Sequence, residues 1–418
     1  METSELKLAF PVLYITYDGL LDPLGGSQIL PYIYNICKHT KPIHILSYEK
    51  PNRFKNGEKN LFIELKRNGI IWHPLYFSNS SGKFGILRKI WDFISMHIFS
   101  FYLVLRFNIR LIHARSHVPG WVALSIKRVL GTPFIFDCRG LWVDERVDKG
   151  SWNLENYFHI IQYHYFKAKE RALFQSATHI VVLTKRIIPE LISMGVNDTD
   201  KITVIPCCAD FNHFKHPTSV QKINKRKQLG IPEDSLVLGY LGSVGKMYKI
   251  DWYLKLFEVA ASSRENVIAL VVTHDVFEIN EKISSLLPNN LKNRVLIVTA
   301  NRRQVPEMLI SMDLLISFYL PSFARIAQSP TKNAEALAVG IPIISNIGVG
   351  DVEEILISLN AGISINPDID FIIEKTVKSL DQIKALGGSS LRKRAESYYS
   401  LNLANKAYES IYQKLKLD

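Results

Sequence analysis

Three observations predict an α/β chain folded as two doubly wound parallel-sheet domains: its length, a series of short apolar runs, and helical patterns between those runs. At 418 residues the chain exceeds one ordinary core and suits two domains of about 200 residues each. Continuous Val/Ile/Leu runs bounded by turn residues read as parallel strands buried on both faces. The first series lies at 12–16, 43–47, 111–114, 134–137 and 179–183, and closes at 202–206. The second lies at 236–241, 267–272, 295–298, 314–317 and 341–345. The series divide the chain into a first domain at 1–206, a polar linker at 207–220 containing Pro217, and a second domain at 221–390. A helical, basic tail at 391–418 is expected to pack back at the domain junction. Open parallel sheets bind ligands at the carboxyl ends of their strands. Two in tandem therefore offer two walls of one cleft.

Composition narrows the function. With 47% hydrophobic and 22% charged residues, both halves can bury cores, which excludes disorder on this scale. A net charge of +12 suits phosphorylated substrates or an anionic membrane face. No RNA-binding signature, zinc finger or long Lys/Arg tract is present, so nucleic acid is not expected as a partner. Cys37, Cys138, Cys207 and Cys208 form no disulfide framework or metal spacing, which fits a reducing compartment. Residues 1–7 carry no apolar signal, and a cytoplasmic location is the expectation. The greasy stretch 90–105 is short for a bilayer span. It is rich in aromatics and flanked by Lys83, Arg88, Lys89, Arg106 and Arg110. Two readings stay open for it: a helix lying on an anionic membrane, or a buried helix of the first domain.

The segment 329–342 carries the chemistry. Ser329 reads as an N-cap, Pro330 as the first helical residue and Gly340 as the stop. The resulting helix starts directly out of the loop after 314–317, so its free N–H groups form an anion site. Lys332 in the first turn opposes the helix dipole, a conflict that a bound phosphate would remove. Glu335 lies on roughly the same face, where a carboxylate can accept both hydroxyls of a ribose. The alternative is a solvated Lys–Glu pair.

This segment resembles the nucleotide-binding element of the retaining glycosyltransferases called family 4, whose fold is known as GT-B. Further agreeing segments are Gly25-Gly26, Ile112 to His117, Phe136 to Trp142, Ala177 to Thr184, Val204-Ile205-Pro206 and Gly239 to Ser243. Together they span most of the chain. The resemblance implies two Rossmann-like domains and a glycine loop, Gly25 and Gly26, beneath the donor diphosphate. It also implies phosphate contacts at Ser243 and Lys249, with Lys246 compensating for an arginine that many relatives carry where Ser243 stands. A first glutamate of many relatives is Ala327 here, which leaves the sugar ring to the backbone, Arg325 or Gln328.

On the other wall, Arg115 and His117 follow the run 111–114 and are the catalytic candidates. Alternation would put them on one side with His113. Asp137, Arg139 and Asp144 follow the run 134–137 and are candidates for acceptor binding, against an internal ion-pair network. The expected reaction is transfer of a hexosyl-type sugar from a nucleotide-diphosphate sugar to a hydroxyl acceptor, a glycan or lipid-linked glycan of a cell-surface polysaccharide pathway. Retention follows from the resemblance. No metal and no other cofactor are expected, because cations and helix N–H groups can stabilise the leaving diphosphate. The rivals are a sugar-nucleotide epimerase, a phosphorylase and a non-catalytic nucleotide-sugar binder. The absence of a G-x-G-x-x-G pattern sets a dinucleotide oxidoreductase aside.

Overall fold

The computed structural model describes residues 10–40, 42–78 and 85–415. Lys83, with residues 1–9 and 416–418, lies outside them. The chain divides into two compact units, Met1–Pro206 with Ala404–Asp418, and Cys207–Leu403.

Unit one is built on seven parallel strands: β1 Val12–Thr16, β2 Ile43–Glu49, β3 Ile70–Tyr76, β4 Leu111–Arg115, β5 Phe134–Asp137, β6 His179–Val182 and β7 Ile202–Val204. Their order is β3-β2-β1-β4-β5-β6-β7. Unit two has six: β8 Leu236–Leu241, β9 Val267–Val272, β10 Val295–Val298, β11 Leu314–Ser317, β12 Ile343–Asn346 and β13 Gly362–Ile365. These run β10-β9-β8-β11-β12-β13. Both sheets are doubly wound, and the order reverses at β1/β4 in one and at β8/β11 in the other. Such reversals open a crevice at the carboxyl ends of the strands, where ligands bind.

The interior strands are those the apolar runs predict, because each is buried on both faces. β1, β4, β5, β6, β8 and β11 are buried along their whole length. Two edge strands, β3 and β13, are additions. β3 carries Trp72, His73 and Pro74 and alternates in burial, so no continuous apolar run announces it. The core of unit two lies in two layers. Val237, Leu270, Leu315 and Ile343 face the Thr331–Val339 and Ser389–Tyr399 helices. Leu238, Val271, Ile316 and Ile344 face the Ile250–Ser263 helix.

The stretch 207–220 is not a free linker. The Ala209 N–H donates to the Tyr399 carbonyl at 2.9 Å, Phe211 and Phe214 are buried in unit two, and the Arg392 guanidinium donates to both their carbonyls. The expected single tail is two helices, Ser389–Tyr399 and Leu401–Lys414. The first packs on Thr331–Val339. In the second, Tyr408 and Tyr412 bury against the His113 ring of unit one.

Asp313, at the start of β11, ties unit two together. It accepts from Arg226 at 2.7 Å, Lys222 at 2.8 Å and the Val237 N–H at 2.9 Å. Burial opposes its ionisation, but Lys222 and Arg226 hold the carboxyl below its usual range. Its stabilisation is therefore present at neutral pH and lost as pH falls through the folded-state pKa. Asp313→Ala strands a buried guanidinium and should lower the unfolding free energy of unit two by about 3–5 kcal/mol, as read by urea denaturation at neutral pH.

Candidate active site

The Thr331–Val339 helix leaves the loop after β11 with every residue from Lys332 to Val339 buried. The cap differs from expectation by one position. Pro330 is extended, with φ −68° and ψ 116°, and occupies the cap itself without any side-chain cap. Ser329 Oγ instead accepts the Cys207 N–H at 3.2 Å. The first-turn N–H groups thus lack a capping side chain, which suits an anion.

Lys332 is 9% exposed, and its Nζ has no hydrogen-bond partner among the described residues. Three tyrosine rings surround it: Tyr240 at 5.0 Å, Tyr248 at 5.0 Å and Tyr319 at 4.8 Å from their centroids. Tyr240 comes from β8, and Tyr319 follows β11. Tyr248 is carried in by the loop after β8, which bridges to Tyr319 and whose Met247 carbonyl accepts the Leu320 N–H at 3.0 Å. Gly242 on the same loop has φ +129°, and a Cβ placed there would stand 4.0 Å from Lys332 Nζ. Burial lowers the Lys332 pKa to about 7. The π faces attract the ammonium but take none of its three N–H donors, which remain available to an oxyanion.

Glu335, 3% exposed, is bound by the Arg302 guanidinium from the loop after β10. Arg302 in turn lies over the Phe214 ring at 4.9 Å. Burial raises the Glu335 pKa and Arg302 opposes that shift. Lys332 and Glu335 are therefore buried groups with separate surroundings, not a solvated pair. Ser243 and Lys246 are exposed on the β8 loop, and Lys249 Nζ sits 4.7 Å from the Trp252 centroid. Ala327 is buried in the short Phe323–Ala327 turn. Arg325 and Gln328 bond each other.

In unit one, Arg115 and Asp137 end adjacent strands in register and pair at 3.3 Å. Asp137 also receives Arg139 at 3.3 Å and the Tyr408 hydroxyl at 3.4 Å. Burial opposes ionisation of Asp137, yet Arg139, the His113 ring and Arg115 hold its carboxyl well below the usual range. Arg115 Nε lies 3.8 Å from the half-exposed Asp18 carboxylate. His113 is a core residue whose Nδ1 contacts the Tyr412 hydroxyl at 2.8 Å.

His117 is not on the strand. Ser116 turns the chain at φ +69°, ψ 176°, a region that costs a non-glycine residue on the order of 1–3 kcal/mol. His117 then opens the His117–Leu130 helix. Its ring is 1% exposed, bound to Glu170 at 2.7 Å and packed against Phe136 and Trp142. Lys167 links Glu170 at 2.7 Å to Asp144 at 2.5 Å, so Asp144 belongs to an internal network. Gly25 and Gly26 lie not in an open loop, as expected, but within the short Pro23–Gln28 helix. A Cβ on Gly25 would meet the Gly19 carbonyl oxygen at 2.3 Å, whereas one on Gly26 would meet nothing within 4 Å. The tight approach at Gly25 is thus to its own loop.

Lys332, Glu335, Ser329 and the β8 loop share the carboxyl edge of one sheet, while Arg115, Asp137 and Arg139 share that of the other. Arg302, the three tyrosines and Glu170 had not been singled out from the sequence. Tyr240 and Tyr319 had one signal, a place at the carboxyl end of a predicted strand.

Two family models match, one on each half: Glycosyltransferase Family 4 over residues 44–213 and Glycosyl transferases group 1 over residues 221–398. No curated protein matches the chain in sequence. Among solved structures, Anabaena Alr3699/HepE in complex with UDP and glucose is 15% identical with a TM-score of 0.67, covering 97% of this chain and 100% of its own. Sucrose-phosphate synthase from Thermosynechococcus elongatus is 15% identical with a TM-score of 0.71, over 97% and 99%. WaaG, a glycosyltransferase involved in lipopolysaccharide biosynthesis, is 14% identical with a TM-score of 0.67, over 96% and 99%. A glycosyltransferase family model matches each parallel-sheet unit, and together the two models span most of the chain, which is therefore a member of the GT4/GT-B glycosyltransferase superfamily.

Proposed function

We propose that the protein transfers a hexosyl-type sugar from a nucleotide-diphosphate sugar to a hydroxyl acceptor, with retention at the anomeric carbon. One observation carries the donor half: a buried ammonium, Lys332, with no hydrogen-bond partner at the open start of a helix. A diphosphate placed there supplies the acceptor oxygens that Lys332 lacks, and the first-turn N–H groups share the charge as the bond to the sugar breaks. Glu335 takes the ribose, with Arg302 beside it to orient the carboxylate. HepE was solved with UDP and with UDP-glucose, which makes a UDP-sugar the first donor to test. The β8 loop, with Ser243, Lys246 and Lys249, completes the donor side. Gly25 and Gly26 are assigned beneath the diphosphate.

On the acceptor side we assign Arg115 and Arg139, steadied by Asp137. Of the two catalytic candidates, Arg115 has the more open surroundings through Asp18. His117 acts through the corner at Ser116, which Glu170 locks. Asp144 enters through the same network. The acceptor is a glycan or lipid-linked glycan of a cell-surface polysaccharide pathway, and contact with an anionic membrane on the cytoplasmic side belongs to the same reading. Charge stabilisation by Lys332 and the helix start makes the reaction metal-independent.

Lys332→Met should weaken UDP binding about tenfold or more by calorimetry, and unchanged affinity would remove the donor assignment. Because burial holds free Lys332 near 7 while the bound anion favours its charged form, wild-type affinity should fall about tenfold from about pH 6.5 to about pH 8.5. That slope should vanish in Lys332→Met. Glu335→Gln should keep its unfolding midpoint yet lose about tenfold in donor affinity. Turnover of UDP-glucose should persist in excess EDTA, with the product anomer matching the donor by NMR. Strict dependence on added Mg²⁺ or Mn²⁺ would contradict the metal-independent mechanism.

A further inference from the structure

The Gly85–Arg106 helix buries Met96, Ser100, Leu103 and Val104 in unit one. Its other face is greasy. Ile90, Ile94, Ile98 and Tyr102 recur every four residues and are 48%, 43%, 59% and 56% exposed, flanked by Trp91 at 62% and Leu105 at 68%. From Ile90 to Leu105 this stripe extends over about 22 Å of the helix. That is a continuous apolar surface, not the scattered single residues of an ordinary exterior. Asp92, the helix's one acid, is buried and accepts the Tyr17 hydroxyl at 2.8 Å. The outward face therefore carries no negative charge, while Lys89, Arg106 and nearby Arg110 are exposed.

The surface continues onto neighbours. The His117–Leu130 helix packs against both Gly85–Arg106 and Tyr157–Ser176, so all three belong to one layer on the sheet. It ends in exposed Arg128, Val129 and Leu130. Tyr157–Ser176 exposes Tyr157, Phe158, Ile161 and Tyr165, with Lys169 Nζ 5.5 Å from the Tyr165 centroid.

We propose that this three-helix layer is a docking surface for an anionic lipid bilayer, with the Gly85–Arg106 helix lying in the plane of the interface. Apolar side chains reach the acyl boundary, aromatics sit at headgroup level, and the lysine and arginine side chains meet lipid phosphates. The helix does not cross, since its inner face is committed to its own unit. A second copy of the chain is the poorer occupant, because a two-fold contact would bring the same cations together. The proposal gives the membrane contact of the proposed function its surface, and it stands on exposure and charge in unit one alone.

Co-sedimentation with phosphatidylcholine vesicles, with and without phosphatidylglycerol, tests it. Wild-type protein should bind the anionic vesicles at least about tenfold better than the neutral ones and be released by high salt. Trp91→Ser/Ile94→Ser/Ile98→Ser and, separately, Lys89→Glu/Arg106→Glu should each lower partitioning about tenfold or more. Equal sedimentation of wild type and both variants overturns the proposal. So does a wild-type dimer in light scattering that the apolar variant dissolves. A UDP thermal-shift measurement on the same proteins separates the two readings. Retained UDP shifts in variants that no longer bind vesicles support the docking surface. Vesicle binding by a wild-type protein that UDP does not stabilise supports it too, and fails only the donor assignment.

Discussion

Taking an ammonium out of water is the constraint around which unit two is arranged. The Lys332 ammonium is buried, and three tyrosines from three stretches of chain offer it only ring faces. Cation–π attraction recovers part of the lost hydration. What remains unrecovered shows as a pKa near 7. The arrangement requires β8 and β11 to be adjacent, because Tyr240 and Tyr319 stand on them, and requires the β8 loop to fold over and deliver Tyr248. The strand order that makes those two neighbours is the one that opens a crevice at their ends. Fold and charge therefore concern the same few residues.

Unit one solves the opposite problem. Asp137 is a buried carboxylate surrounded by donors, with Arg115, Arg139 and the Tyr408 hydroxyl within 3.4 Å. Its ionised form is favoured by its surroundings, whereas that of Lys332 is not. A carboxylate already held by two guanidinium groups suits positioning, and a cation without a hydrogen-bond partner suits capture. The two edges of the molecule's chemistry differ in this respect.

Much of this was legible in the sequence where burial on both faces leaves a continuous apolar signature. The interior strands are of that kind, and β3, with its Pro74 and alternating exposure, is not. Lys332 and Glu335 could be read because a cation at a helix start is locally costly and asks for an explanation. Arg302 could not, since its meaning comes from a loop reaching Glu335 across 33 positions, and no local pattern encodes that meeting. His117 shows a different limit. A period-two reading placed it with Arg115, but a positive φ at Ser116 ends the strand there. Serine gives no warning of such a backbone, as glycine would.

The last helix carries a consequence for how the protein is made. Residues from Ala404 onward belong with unit one, where Tyr408 and Tyr412 close over His113 and Asp137. During synthesis the first sheet emerges roughly two hundred residues before those tyrosines, at a pace of about 5–20 residues per second. Unit two is made in the interval, its last core residues, Leu391, Ala395 and Tyr399, only shortly before Tyr408. Unit one must wait with a charged, half-open interior until Tyr408 and Tyr412 have been made. The strands made first are thus closed by side chains made after unit two, so unit one cannot finish folding before unit two has been synthesised.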